Sequence, residues 1–342
     1  MKTNQKPAWR RRGPTVARIS HWICVASAIF FFGPGLRAQA PTPPTEVSSS
    51  PAVVASVCDP EPHDCATQNG EVDAAADSNA PTSTAGPHNQ DDWVNRWLRR
   101  VDKARAEQPH HVAPLITTHV LLVQQFRFDS FYQQAPGGIW TSEYGGGKGL
   151  EIIPNTRMEV QVGIPPYFFH QAPNLPDGFG DISMFLKFRA FSAPEGKGGY
   201  FIGFFLGGSF PSASAPNGMA HTVWSPMIAA SKVWGSFDVQ TTLSGSLPQS
   251  GTNVIGRLIL FNNTFQFKVV KRFWPELETN STFFVDGPHS GNQQTFLTPG
   301  LIIGPFQIAQ RLHFGLGFGV QIAATHFHQY DHRWIWSMRF PF

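Results

Sequence analysis

The sequence predicts an all-β chain: a transmembrane, antiparallel up-and-down β-barrel of about twelve strands, behind a disordered N-terminal region and a short amphipathic helix. Three observations predict it. The stretch Asp331 to Phe342 places Trp334, Trp336, Met338, Phe340 and Phe342 at every second position, with Arg333, Ile335, Ser337, Arg339 and Pro341 between them. That is the period of a strand whose two faces meet different media. Composition is the second. Charged residues make up 14% of the 342 positions, against roughly 25% in soluble domains. Phe reaches 30 residues and Gly 32, yet mean hydropathy is −0.18, so the apolar residues are dispersed and not gathered into helical spans. Third, after Pro114 the chain alternates in segments of about ten residues, separated by Gly, Pro, Asn and Asp clusters, as transmembrane barrels do. A formal charge of +3 is too small to point to nucleic acid.

Residues 1–40 read as a cleaved export signal. Arg10, Arg11, Arg12 and Arg18 form its basic part, Trp22 to Phe32 its apolar run, and Ala38-Gln39-Ala40 a small-x-small cleavage site. The apolar run is about eleven residues, short of the roughly 20 of a spanning helix. Residues 41–90 carry Pro, Ala, Ser, Thr, Asn and Asp with almost nothing large and apolar, so they read as a disordered periplasmic linker. Cys58 and Cys65 lie within it and, once Cys24 leaves with the signal, could close one small disulfide loop in an oxidising compartment. A metal on these thiolates would need further ligands, and only His63 is near.

Residues 91–110 predict a short amphipathic helix. Trp93, Trp97 and Val101 recur at four-residue spacing, with Arg96, Arg99, Arg100 and Lys103 elsewhere and Asp91 or Asp92 as N-cap. Such a helix either rests on the periplasmic rim or serves as a plug or partner-binding element.

The barrel is expected over 114–342, with strands at 117–132, 147–154, 157–167, 180–191, 199–210, 222–233, 236–247, 256–268, 273–285, 294–304, 310–322 and 332–342. The even number puts both ends on the periplasmic side. Predicted periplasmic connections near 154–156, 233–236 and 305–309 are short, and outer ones at 134–146, 168–179 and 211–221 are longer. Pro226, Pro275 and Pro299 sit awkwardly in ladders.

The terminal strand resembles the closing strand of bacterial outer-membrane barrels. That resemblance implies that Trp336, Met338, Phe340 and Phe342 form a signal read by the barrel-assembly machinery. The run Phe179-Gly180-Asp181-Ile182-Ser183-Met184-Phe185-Leu186-Lys187-Phe188-Arg189 looks like the Gly-Asp, then Lys-aromatic-Arg strand of the outer-membrane proteins named after the meta-pathway of phenol degradation. Trp274-Pro275-Glu276-Leu277-Glu278 and Leu297-Thr298-Pro299-Gly300-Leu301 resemble two later strands of that family. The resemblance implies an outer-membrane location, contact with outer-membrane lipid, and transport of small solutes, aromatic or hydrophobic compounds among them.

Motifs for catalysis are missing from the sequence: there is no Gly-x-Ser-x-Gly elbow, no His-Glu-x-x-His pair and no phosphate-cradling loop, since Gly145-Gly146-Gly147-Lys148-Gly149 lacks the spacing. No enzyme and no cofactor is expected, an outer-membrane lipase being the enzyme to exclude. His326, His328 and His332 with Asp331 could hold Zn²⁺ or Cu²⁺ if their loop folds back, or form a solvated loop tip. Alternation sends Arg127, Arg157, Glu159, Lys187, Arg189, Glu276, Glu278, Arg311, His313, Arg333 and Arg339 to the face opposite the lipid. There they are expected to line the lumen and set selectivity, with Glu159 opposite Lys187 and Arg157 opposite Arg189. The like-charged Arg pair then needs a carboxylate such as Asp129, Glu276 or Glu278. About twelve strands enclose a narrow, partly obstructed pore. The competing class is a non-transporting structural or surface-interaction barrel.

Overall fold

The structure, a computed structural model, describes residues 90–146 and 148–342. The signal segment, the linker and the Cys58/Cys65 pair lie outside the described residues. A helix, α1 (Gln90–Ala106), leads into an irregular stretch and then into twelve staves. These are β1 (Gln125–Gln134), β2 (Trp140–Gly145, then Gly149–Asn155), β3 (Met158–Gly163, then Tyr167–His170), β4 (Gly178–Phe179, then Ile182–Ala193), β5 (Tyr200–Phe210) and β6 (Val223–Trp234). They continue as β7 (Phe237–Pro248), β8 (Leu258–Phe267), β9 (Phe273–Phe284), β10 (Gln293–Gln307), β11 (His313–Ala323) and β12 (His332–Pro341). Each stave pairs antiparallel with the next, and β12 closes on β1 from Gln125↔Pro341 to Gln134↔His332. The closed, twelve-stranded antiparallel barrel is therefore as the alternation predicts.

Three staves are each interrupted once, two of them for evident local reasons. In β2 the break falls at Gly145 and Gly146, whose φ values of 104° and 56° are left-handed. In β3 Pro165 and Pro166 lack the N–H a ladder needs. Connections at the α1 end are tight, such as Trp234-Gly235-Ser236-Phe237, and those at the far end are longer, such as 211–222. Pro226, Pro275 and Pro299 stand within ladders, opposite Leu206, Leu301 and Leu277, with their rings facing outward.

The molecule is inverted relative to a soluble protein. Phe204, Leu186 and Phe318 point outward at 52%, 39% and 39% exposure, whereas Lys187, Gln240 and Glu278 point inward at 0%. The apolar core that does exist lies inside, where Val101 and Ala104 of α1 meet Val120, Leu121 and Leu122, packed on Ile153, Phe201, Phe205 and Met227 of the wall.

Three expectations need correction. The first strand begins at Gln125, not at 117, because 107–124 runs inside the barrel with its backbone groups bonded to wall side chains. The region 134–146 is no loop: Thr141 to Gly145 pair with Gln133 to Asp129, which extends β1 and β2 beyond a turn at 135–139. The helix starts at Gln90, so Asp91 and Asp92 fall within its first turn and not at its N-cap.

Candidate channel lumen and its inner segment

The residues that follow α1 form an inner segment, 107–124, and the inward faces of the staves hold it through charged and amide side chains. Glu276 and Glu278 of β9 are two apart and therefore share one face. Their carboxylates accept three successive backbone N–H groups: Leu115 to Glu276 Oε1 (3.1 Å), Ile116 to Glu278 Oε1 (2.8 Å) and Thr117 to Glu278 Oε2 (2.6 Å). Gln266 and Thr264 of β8 donate to the same carboxylates at 2.6 and 3.3 Å. Carbonyls of the inner segment are met by cations. Arg127 Nη2 donates to Leu115 O (2.7 Å), and Arg339 donates to Ala113 O and to Pro114 O (3.0 Å). Further along, Val123 N–H donates to Glu159 Oε2 (2.5 Å), and Gln108 exchanges two bonds with Leu122. Bonds to ionised groups are the stronger kind, and an irregular backbone survives inside a barrel only when its polar groups are met in this way.

Glycines make the room. Leu115 is fully buried, and a Cβ added at Gly300, Gly317 or Gly319 would come within 2.4, 2.7 and 2.5 Å of its terminal methyls. The inward Gly-x-Gly of β11 is thus a hollow cut for one leucine.

The remaining expected lumen residues divide. Glu159 lies opposite Lys187, whose Nζ is 2.6 Å from Glu159 and 3.3 Å from Glu151, all three buried. Arg127 pairs with Asp129 at 2.8 Å, both buried. Arg333 is inward near the far end, donating to Gln133 and stacked over Tyr330 and Phe131. Arg157 and Arg311 are corrections, since neither stands on an inward strand face. Arg157 is exposed in the β2–β3 turn, and Arg311 precedes β11 and pairs with Asp102 of α1 at 2.5 Å. His313 opens β11, its Nδ1 against Arg311 O. Arg189 is held by Glu107 (2.7 Å), Ala104 O and Thr156 O, so the carboxylate beside it comes from the end of the helix segment and not from Asp129, Glu276 or Glu278.

The histidine cluster does not assemble. His328 Nε2 lies 2.8 Å from Asp331 and its Nδ1 faces Thr325 O, whereas His332 stands edge-on to Trp140. Among the described residues no three His, Cys, Asp or Glu side chains come together as a metal site; His326 is not drawn in. In the closing strand Trp336 and Met338 face outward at 58% and 41% exposure, Phe340 packs on Phe126 and Phe314, and Phe342 N–H donates to Gln124 O.

Sequence reasoning missed Glu151, although Leu150 outward places Glu151 inward. It also missed the inner segment. Its one sign was the loss of alternation at Val120-Leu121-Leu122-Val123, a weak one because β8 of the wall carries a similar run, Leu258-Ile259-Leu260-Phe261.

Cavities border the inner segment toward both ends of the barrel. Toward the far end one of about 370 Å³ is bounded by Asn262, Asn280, Gln294, Gln321, Tyr330 and Arg333. Toward α1 one of about 350 Å³ is bounded by His111, His119, Leu121, Trp274, Ile302 and Arg339.

No protein-family model and no curated protein matches the chain. Among solved structures, the COG4313 outer membrane channel from Pseudomonas putida F1 is similar at 10% identity and a TM-score of 0.47, over 68% of this chain and 100% of that one. OmpF of Salmonella typhi, in a complex with daunomycin, is similar at 7% identity and 0.29, over 65% and 98%. OmpT of Vibrio cholerae is similar at 9% and 0.26, over 64% and 96%. At these values none of the three supports a statement about this chain's residues, cargo or assembly. The resemblance to the phenol meta-pathway proteins rests on the short segments alone.

Proposed function

We propose that this chain is a passive outer-membrane channel for small solutes, narrowed by its own inner segment. The observation that carries the reading is the inversion of the barrel. A continuous apolar outer face, including Leu186, Phe204, Ile228, Leu277 and Phe318, suits a bilayer, because a closed barrel satisfies every wall N–H and C=O internally. The polar inner face, with a cavity on either side of residues 115–117, suits a water-filled path with one constriction. Orientation follows from the tight turns: the α1 end faces the periplasm and the longer connections face outward. Export by the N-terminal signal and insertion by the barrel-assembly machinery through the Trp336 to Phe342 strand belong to the same proposal, as does a cargo that includes aromatic or hydrophobic compounds.

The inner segment itself favours a second reading, a sealed barrel with a structural or surface-interaction role. Swelling of proteoliposomes in small uncharged solutes separates the two. A channel gives flux that scales with protein and falls with solute size. Flux no greater than that of protein-free liposomes leaves only the sealed barrel.

A further inference from the structure

The cavity next to α1 holds polar atoms that the fold itself leaves unused. His111 sets one ring nitrogen against Ser231 Oγ (3.0 Å), but its Nδ1 has no partner among the described residues, nor does either nitrogen of His119, the Nε1–H of Trp274, or the side-chain oxygen and nitrogen of Gln124. The three rings are more than nine-tenths buried, at 8%, 5% and 7% exposure, Gln124 is fully buried, and all four side chains line this cavity. The two imidazoles meet edge to face with centroids 5.4 Å apart. Buried polar groups in a folded chain are nearly always hydrogen-bonded, so several without a partner around one hollow mark a place where a bound molecule can complete them.

The rest of the lining says what. The body of the cavity is apolar, with Val112, Leu121, Ile302, Ile303 and Pro305. Its charged members are Arg105, Lys268 and Arg339, and no Asp or Glu lines it. Arg105 and Arg339 donate to backbone carbonyls, whereas Lys268 is exposed at the mouth, 5.1 Å over the Trp274 ring, with no ion pair among the described residues. The charge around the cavity is therefore positive. Histidines on the inner segment, outside the spanning strands, are not the source of that charge. Burial pushes His111 down to about 3, and burial beside His111 and Lys187 holds His119 well below the usual imidazole range. Each neutral ring offers one N–H and one acceptor.

We propose that this cavity is a binding site for a small apolar molecule bearing one carboxylate, its apolar body against Leu121 and Ile302 and its carboxylate between Trp274 Nε1–H and Lys268. A cavity of roughly 150 Å³ holds one benzene, so about 350 Å³ suits two fused rings or a short branched chain. An apolar pocket with a few convergent polar groups is the usual form of a small-molecule site. This deepens the solute-channel reading and takes its biological meaning from it, but binding is measured without conduction.

The test is calorimetric titration of the full barrel in amphipol with 2-naphthoate, its methyl ester and 2-naphthylmethylammonium, with the Trp274 indole N–H followed by NMR. Expected are saturable binding of 2-naphthoate with a shifted Trp274 resonance, and at least tenfold weaker binding of the ester and the amine. Lys268→Met and Trp274→Phe should each weaken 2-naphthoate about tenfold and leave the ester unchanged. Gly315→Val, where a Cβ meets nothing nearer than 3.5 Å, should fill the cavity and abolish binding in a barrel that still shows heat-modifiable migration. Equal binding of acid and ester, preference for the amine, or no binding of 2-naphthoate at millimolar concentration overturns the site, even in a barrel that conducts. Binding in a barrel that shows no flux upholds the site and removes only the channel reading.

Discussion

At the scale of single residues, Leu115 in its glycine hollow and the two carboxylates of β9 decide whether the inner segment stays in place. Gly317→Val would set a side chain where a Cβ already lies 2.7 Å from Leu115 Cδ2. Overpacking of this kind costs about 1–3 kcal/mol, and the inner segment is what must yield, because the wall is held by its ladders. Limited proteolysis of the variant should therefore cut within 107–124 while the barrel remains intact; protection equal to that of the parent contradicts this. Glu276→Gln with Glu278→Gln removes the charge from bonds to three backbone N–H groups. Charge-assisted bonds are worth about 1.5–3 kcal/mol each, so the double variant should release the same segment and raise single-channel conductance. In the connection between β11 and β12, Thr325 O and Asp331 raise the His328 imidazole above its ordinary value. A raised group stabilises the fold fully below its unfolded pKa and loses that contribution as pH rises through the folded one. NMR titration should give a midpoint above the ordinary imidazole value, which Asp331→Asn lowers; an ordinary midpoint in the parent would sink the assignment.

At the scale of elements, β12 and the pairing of β3 with β4 carry the argument. The closing strand bonds β11 on one side and β1 on the other, and Phe342 also offers its carbonyl to Arg105 of the inner assembly (2.8 Å). Deleting Phe342 should deplete heat-modifiable, membrane-inserted protein without affecting export; normal insertion contradicts the proposal that it is an assembly signal. Across β2, β3 and β4, Lys187 serves both Glu151 and Glu159. Lys187→Met would leave two buried carboxylates without their cation, a loss of about 3–5 kcal/mol, measurable as a lower urea midpoint for unfolding in lipid. Period-two patterning made these staves legible, because Met184, Leu186 and Phe188 outward require Lys187 and Arg189 inward. Arg157 and Arg311 follow the same parity yet sit in turns, since alternation assigns a face and not where a strand stops. The stretch 117–124 misled for a related reason. Its apolar residues fit a strand by composition, and the unbroken run at 120–123 does not separate it from the wall, since β8 carries the same kind of run at 258–261.

At the scale of the whole molecule, the structure is a closed wall enclosing a strap from its own chain, with a cavity of mixed lining toward the far end and a more apolar one toward α1. The central claim is that residues 115–117 set the permeability of this path. It is tested most directly by tying the strap down. In a chain with Cys58 and Cys65 replaced by Ser, Leu115→Cys with Gly317→Cys places two thiols at the point of contact between strap and wall. Single-channel conductance in planar bilayers is recorded for the oxidised protein and again after reduction. The account predicts a low conductance when oxidised that rises at least severalfold on reduction, when the smaller side chain that replaces Leu115 no longer fills the glycine hollow. Equal conductance in the two states, with the disulfide verified by mass, would contradict it.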